Sequence, residues 1–403
     1  MSLGADDLAR LQAAINLAAG AIGLSDPNPR VGCLLFDTAG RQVGQGHTQQ
    51  AGGPHAEVMA LRAAQATGLP LAGGTAYVSL EPCAHHGRTP PCADALVAAG
   101  LRRVVIAALD PFPQVAGKGV ARLLAAGLQV DLAPDGPIRA AAQALNIGFF
   151  SRVVRLRPWL RLKIAATLDG RTALPDGRSQ WITDTAARTD GHRWRARAGA
   201  VLTGIGTVLD DDPRLDVRLV DTVLQPGRIV VDTHFRTPPN ARLLAAPGQA
   251  RVIGAQAHPE RMAALRHAGA MVQTLPSAAG QVDLPALLTQ LAAEGINELH
   301  VEAGARLNAA LLAAGLVDEL LVYLAPKLLG PGRGMADWPT LQALEDAACW
   351  RFEAVDRVGQ DLCLRLERPG ARDFLSGASA TVDGIITHPG SSQRAPQPLP
   401  GHG

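Results

Sequence analysis

The tightest constraint on how this chain can fold is a group of four residues that must meet at one point. His55 and Glu57 stand in Pro54-His55-Ala56-Glu57, and Cys83 and Cys92 bracket Ala84-His85-His86-Gly87-Arg88-Thr89-Pro90-Pro91. One His and two Cys make a zinc site with three protein ligands. The fourth coordination position is left for water, which is the catalytic pattern. Glu57 is not needed as a ligand and can move protons to and from that water. The pair His55 and Glu57 falls at a predicted helix start, and both cysteines fall at a predicted strand-to-helix connection. Two helix N-termini can therefore face one ion. Each residue alone has a plainer reading, as a hydrogen-bonded His or a small buried Cys. A closed structural zinc with His85 or His86 as fourth ligand is the competing arrangement.

The pattern around these residues is that of a layered α/β unit. A helix is predicted over Asp6–Ala19 and is broken by Asp26-Pro27-Asn28-Pro29. Strands are predicted at Val31–Phe36, Gln42–His47, Thr75–Ser79, Arg103–Leu109 and Leu128–Asp131, with a hairpin turn at Thr38-Ala39-Gly40 between the first two and helices between the others. Pro137–Phe150 reads as one closing helix, followed by a basic connector, Ser151–Arg157. The chain has 403 residues, 47% hydrophobic and 18% charged, which suits two soluble domains. A net charge of +2 gives no electrostatic case for nucleic acid or an anionic membrane. The apolar runs are far shorter than the roughly 20 residues of a membrane span. The N-terminus does not read as a signal peptide. Five cysteines are too few and too odd for a disulfide framework, so a reducing cytoplasm is expected.

His-x-Glu followed by Pro-Cys and a second Cys is the pattern of zinc-dependent nucleobase deaminases. These commonly have two residues between the cysteines, and this chain has eight. That loop, Asp26-Pro27-Asn28-Pro29-x-Val31-Gly32-Cys33 upstream and Asp110-Pro111-x-Pro113-x-Val115-x-Gly117-x-Gly119 downstream resemble the bifunctional RibD family of riboflavin biosynthesis. The resemblance implies a cytidine-deaminase-like α/β/α domain over residues 1–150. There one zinc would be held by His55, Cys83 and Cys92, with Glu57 as the catalytic proton shuttle. It further implies that Asn28 and His47 approach the pyrimidine or ribose, and that His86 and Arg88 approach the sugar phosphate.

From residue patterns alone, the second half is another α/β domain ending in antiparallel strands. It has no Gly-x-Gly-x-x-Gly fingerprint. Gly204-Ile205-Gly206 and Gly304-Ala305 are strand-to-helix turns at which backbone amides can approach phosphate, and each is weak alone. Here too the same family is resembled, through Lys163-x-Ala165-x-x-Leu168-Asp169-Gly170-Arg171, Ser179-Gln180-Trp181-Ile182-Thr183, Thr207-Val208-x-x-Asp211-Asp212-Pro213, Val301-Glu302-Ala303-Gly304 and Ala325-Pro326-Lys327-Leu328-Leu329-Gly330. This implies a dihydrofolate-reductase-like domain over residues 151–368 that uses NADPH. Ala165, Trp181, Thr207, Asp211, Thr233 and the turn Gly304, Ala305, Arg306, Leu307, Asn308, Ala309 and Ala310 would line the cofactor site. Ser179, Arg195, Leu215, Arg218 and Glu302 would hold substrate, and Lys163 would polarise the group that receives hydride. The family's Gly-Gly after the Glu is Ala303-Gly304 here. Residues 369–403 read as a disordered tail rich in Pro and Gly.

The expectation is a two-domain enzyme that first deaminates 2,5-diamino-6-(5-phosphoribosylamino)pyrimidin-4(3H)-one and then reduces its ribosyl group with NADPH. Its partner is a phosphoribosylated pyrimidine, with no nucleic acid and no membrane, and the chain is expected to be a homo-oligomer, dimer or tetramer. The alternatives are a nucleobase or nucleic-acid deaminase with an unrelated nucleotide-binding domain, and a zinc-stabilised binding module without catalysis.

Overall fold

Strands that are apolar on both faces must be covered on both sides, and the first unit is built on three of them. The computed structural model describes residues 3–84 and 91–378. The first unit runs α1 (Ala5–Ala18), β1 (Gly32–Phe36), β2 (Gln42–His47), α2 (Ala56–Thr67), β3 (Thr75–Val78), α3 (Cys92–Ala98), β4 (Arg103–Ile106), α4 (Lys118–Ala125), β5 (Gln129–Leu132), α5 (Pro137–Leu145) and α6 (Ile147–Arg155). The sheet order is β2-β1-β3-β4-β5. β1 is antiparallel to both neighbours, and β3, β4 and β5 are parallel. Leu35, Tyr77, Val105 and Ile106 lie in its core with Leu11 and Leu96 from the helices. α2 lies unusually close to β2. A Cβ on Gly44 would stand 2.3 Å from the Ala60 carbonyl oxygen, and one on Gly46 2.4 Å from the Met59 Cβ. Only glycine permits this approach, which fixes the start of α2 against the sheet.

The second unit runs β6 (Trp159–Thr167), β7 (Arg171–Ala173), α7 (Thr185–Arg197), β8 (Ala200–Gly204), α8 (Ile205–Asp211), β9 (Gly227–Val231), α9 (Arg242–Ala245), β10 (Ala250–Gly254), α10 (Pro259–His267), β11 (Met271–Thr274), α11 (Leu284–Ala293), β12 (Glu298–Val301), α12 (Ala305–Ala313), β13 (Glu319–Ala325), β14 (Arg333–Gly334), β15 (Arg351–Val358) and β16 (Asp361–Glu367). Its main sheet has the order β11-β10-β9-β8-β12-β6-β13-β16-β15. All neighbours are parallel except β16 and β15, which add an antiparallel edge. The C-terminal ends of β6, β8 and β12 are adjacent, where open parallel sheets form ligand crevices.

The two units meet across a buried ion network. Glu298 on β12 accepts from Arg30 at 2.7 Å, Arg161 at 3.0 Å and Arg197 at 2.8 Å. Arg161 also reaches Glu319 at 2.8 Å, and Glu319 accepts from the Trp159 indole N–H at 2.8 Å. Burial alone would raise the Glu298 carboxyl, but the three guanidiniums outweigh it and hold the pKa below the usual carboxylate range.

Several local expectations are corrected. Residues 137–150 form two helices rather than one. The Asn146 side chain accepts from the Arg30 N–H at 2.7 Å and donates to the Arg30 carbonyl at 2.9 Å, which holds Asn146 between α5 and α6. The basic connector is helical to Arg155, and Arg155 and Arg157 pair with the fully buried Asp318. Ile205-Gly206, expected in a turn, opens α8. The expected disordered tail is folded at its start: Ala371 is buried, and Phe374 packs under the Arg155 guanidinium, 4.4 Å away. Residues 379–403, the rest of that tail, lie outside the described residues, as do His85, His86 and Arg88.

Candidate metal centre and cleft

His55 is the residue before α2 and Cys92 is the first residue of α3, so both helices begin at the same point. The His55 Nδ1 lies 3.3 Å from the Cys92 Sγ and 3.7 Å from the Cys83 Sγ. All three ligand atoms lie within 4.8 Å of one another. A tetrahedral ion with bonds of about 2.0–2.3 Å separates its donors by roughly 3.3–3.8 Å, so the donor set fits zinc in both chemistry and spacing. The Cys92 N–H donates to the Cys83 Sγ at 3.3 Å. Hydrogen bonding from Cys92 draws the Cys83 thiol below its ordinary range, against the effect of burial. Glu57, in the first turn of α2, is 3% exposed. Burial first, then the charge at Cys83, pushes its carboxyl up to about 7. Such a group can both take and give a proton near neutral pH.

Glu81 is a positioning residue that motif reading passed over, although it directly precedes Pro82-Cys83. Its carboxylate accepts from the backbone N–H groups of Gly117 at 3.0 Å, Val120 at 3.1 Å and Asp110 at 3.3 Å. The Asp110–Val120 segment is thereby tied to the cysteine loop. His47 ends β2, paired in register with Gly32, and its ring packs against Gly20. Asn28 lies in the turn before β1, where its N–H donates to the Ser25 carbonyl at 2.9 Å. By strand direction both are at the sheet end that carries Cys83.

A cleft of about 1310 Å³ opens at the C-terminal ends of β6, β8 and β12. It gathers Lys163, Ala165, Ser179, Trp181, Arg195, Thr207, Asp211, Leu215, Arg218, Thr233 and Glu302. It also gathers Gly304, Ala305, Arg306, Leu307, Asn308 and Ala310. Ala309 is the exception: it is half-buried outside the lining, because successive residues of α12 cannot all face one cleft. Gly204 and Gly304, at the ends of the neighbouring strands β8 and β12, open the helices α8 and α12. A Cβ on Gly304 would be in van der Waals contact with the Thr207 hydroxyl, 3.7 Å away, so the starts of α8 and α12 lie against each other, and helix N-termini of this kind suit phosphate.

Charge is arranged along this cleft. Glu302 accepts a fork from Arg195, with the Nη2 bond at 2.9 Å, and His300 Nε2 lies 3.4 Å behind it. Burial opposes the Glu302 charge, but Arg195 outweighs it and holds the pKa well below the carboxylate range. Lys163 does not sit on an edge strand: β6 is central, between β12 and β13. Its Nζ is 5.9 Å over the Tyr323 ring, and burial lowers its pKa. Ser179 donates to Asp211 at 3.0 Å, and Thr233 to Gln281 at 3.1 Å.

The comparisons with known proteins cover both units. A family model described as the RibD C-terminal domain matches residues 158–364, and one described as the cytidine and deoxycytidylate deaminase zinc-binding region matches residues 5–108. The chain is 46% identical over 357 residues to the riboflavin biosynthesis protein RibD of Escherichia coli, covering 84% of this chain and 93% of that protein. It is 38% identical to the protein of that name in Aquifex aeolicus, covering 89% and 97%. Among solved structures, Acinetobacter baumannii RibD superposes with a TM-score of 0.80 at 41% identity, over 90% of this chain and 98% of that one. A Thermotoga maritima diaminohydroxyphosphoribosylaminopyrimidine deaminase/5-amino-6-(5-phosphoribosylamino)uracil reductase gives a TM-score of 0.79 at 29% identity, with the same coverage.

Proposed function

The chain belongs to the RibD family of riboflavin biosynthesis, and from that premise we propose how its residues divide the family's two reactions. It is a bifunctional enzyme with a zinc-dependent deaminase and an NADPH-dependent reductase. It converts 2,5-diamino-6-(5-phosphoribosylamino)pyrimidin-4(3H)-one to 5-amino-6-(5-phosphoribosylamino)uracil, and then to the ribityl product. Our division assigns deamination to residues 1–150 and reduction to residues 151–368. The observation that carries it is the convergence of His55, Cys83 and Cys92 beside the buried Glu57, in a unit whose partner holds a cleft lined by helix N-termini.

In the first unit, His55, Cys83 and Cys92 would hold the zinc. When bound, zinc activates water at neutral pH. Glu57 takes a proton from the attacking water and returns it to the departing ammonia, a shuttle that its raised pKa supports. In the second unit, Thr207, Asp211, Thr233 and the Gly304 turn would hold NADPH, which supplies hydride when bound. Arg218 offers its guanidinium to the substrate phosphate, while Arg195, whose fork is taken by Glu302, holds that carboxylate at the substrate's sugar. Glu302, fixed by Arg195, accepts from ribose hydroxyls. Lys163 polarises the sugar carbon–heteroatom bond that is reduced, its depressed pKa favouring proton donation.

The substrate is a small molecule. We further propose a homo-oligomer, supported by the exposed Phe352 and Val355 on edge strand β15. A cytoplasmic location is supported by five unpaired cysteines. No helix among the described residues is long and apolar enough to cross a membrane. The direct test is Glu57→Gln. It should keep one zinc per chain and lose ammonia release by at least about 100-fold, with NADPH oxidation of the deaminated substrate intact. Undiminished ammonia release would refute the role of Glu57.

A further inference from the structure

The segment that carries Arg218 is bent in a way its sequence does not favour. Between α8 and β9, Asp212 and Leu215 adopt φ of 39° and 58°, a left-handed conformation that side chains with a Cβ avoid. Such a backbone persists only where its surroundings fix it. Two side chains of α7 and one from the end of the segment itself do so. Arg195 Nη1 donates to the Asp216 carbonyl at 3.0 Å. Gln225 clamps Val217, accepting its N–H at 2.9 Å and donating to its carbonyl at 2.9 Å. His192 Nδ1 accepts the Arg218 N–H at 3.1 Å. Within the segment, the Asp216 carboxylate, with its side chain 2% exposed, accepts from Arg218 at 2.9 Å and from Arg214 at 2.6 Å. Two half-exposed guanidiniums are thus aimed into the cleft from one buried anchor.

We propose that His192 and Gln225 are positioning residues for the phosphate end of the reductase substrate, acting by fixing the backbone that presents Arg218. The inference rests on the reading of Arg218 as a phosphate-holding residue. His192 suits the task because it is 4% exposed and lies on α7, one turn before Arg195. The ring must be neutral at Nδ1 to accept, and burial with Arg195 and Arg218 nearby favours that form. Gln225 suits it because its amide, with acceptor and donor on separate atoms, can accept from and donate to one residue's backbone at once. Neither residue needs to touch the substrate. Arg214 is the second cation of the pair and extends the same anion-binding surface.

The test uses the full-length protein and two substrates, 5-amino-6-(5-phosphoribosylamino)uracil and its dephosphorylated ribosyl analogue. His192→Leu and Gln225→Met should each raise KM for the phosphorylated substrate about tenfold, the loss of one or two hydrogen bonds' worth of positioning. kcat should stay within about twofold, since the reacting end is untouched, and NADPH affinity measured by fluorescence titration should not change. KM for the dephosphorylated analogue should not move. His192→Gln, whose amide oxygen can accept from the Arg218 N–H, should recover most of the loss. Equal rises in KM for both substrates, or a parallel loss of NADPH affinity, would mean that these residues only support the cleft and would overturn the inference. Arg218→Ala separates the premise from the inference. If it raises KM while His192→Leu and Gln225→Met do not, the positioning role fails. If it leaves KM unchanged, the phosphate reading of Arg218 fails and takes the inference with it.

Discussion

At the scale of single residues, burial decides which ionisable groups can act. It lifts Glu57 to about 7, and it lowers His192 to about 4, with Arg195 and Arg218 adding to the effect and Glu302 and Asp216 opposing it. The folded state therefore prefers neutral His192, while the unfolded chain protonates it near 6.5. Stability linked to this residue is intact above about pH 6.5 and lost as pH falls from there through 4. Thermal melts at stepped pH should show that decline weakened in His192→Gln. An identical decline in both proteins would remove His192 as its source. The metal ligands were readable in the sequence because few side chains bind zinc and their spacing is restricted. His192 was not, because a lone His among arginines on a helix reads as solvated. Ala309 shows the opposite error, a residue carried over with its neighbours although the helix turns it out of the lining.

At the scale of elements, the metal centre depends on how tightly α2 lies on β2. Gly46→Ala would place a Cβ 2.4 Å from that of Met59 and 2.7 Å from the Ala56 carbonyl oxygen. The start of α2 must then move, at a cost of about 1–3 kcal/mol. We expect a lower melting temperature and less than one zinc per chain by metal analysis. Full zinc content at unchanged stability would show that the close approach is dispensable. The strand-helix alternation of both units was readable from apolar runs and their Gly and Pro boundaries. The break between α5 and α6 was not, since Asn146 is held by Arg30, 116 positions away. Such tertiary contacts have no local signature.

At the scale of the whole molecule, one buried carboxylate joins the two units. Glu298 sits among Arg30, Arg161 and Arg197, and removing its charge leaves three guanidiniums with too few partners. Glu298→Gln should cost about 3–5 kcal/mol in denaturant unfolding. A change below about 1 kcal/mol would mean that water already screens this network. The sequence held no sign of the interface, because Arg30 and Glu298 lie in different units. It did hold the metal ligands, whose types and spacing are restrictive, whereas the cofactor turns were weak alone and pointed to NADPH only through the family resemblance. One chain performs both reactions in order, and following ammonia and NADPH together in one assay tests this. Full-length protein given the diamino phosphoribosyl substrate should release ammonia equally with and without NADPH. With NADPH present, it should oxidise one NADPH per ammonia, after a lag. NADPH oxidation without ammonia release, or ammonia release with no NADPH oxidised, would contradict the account.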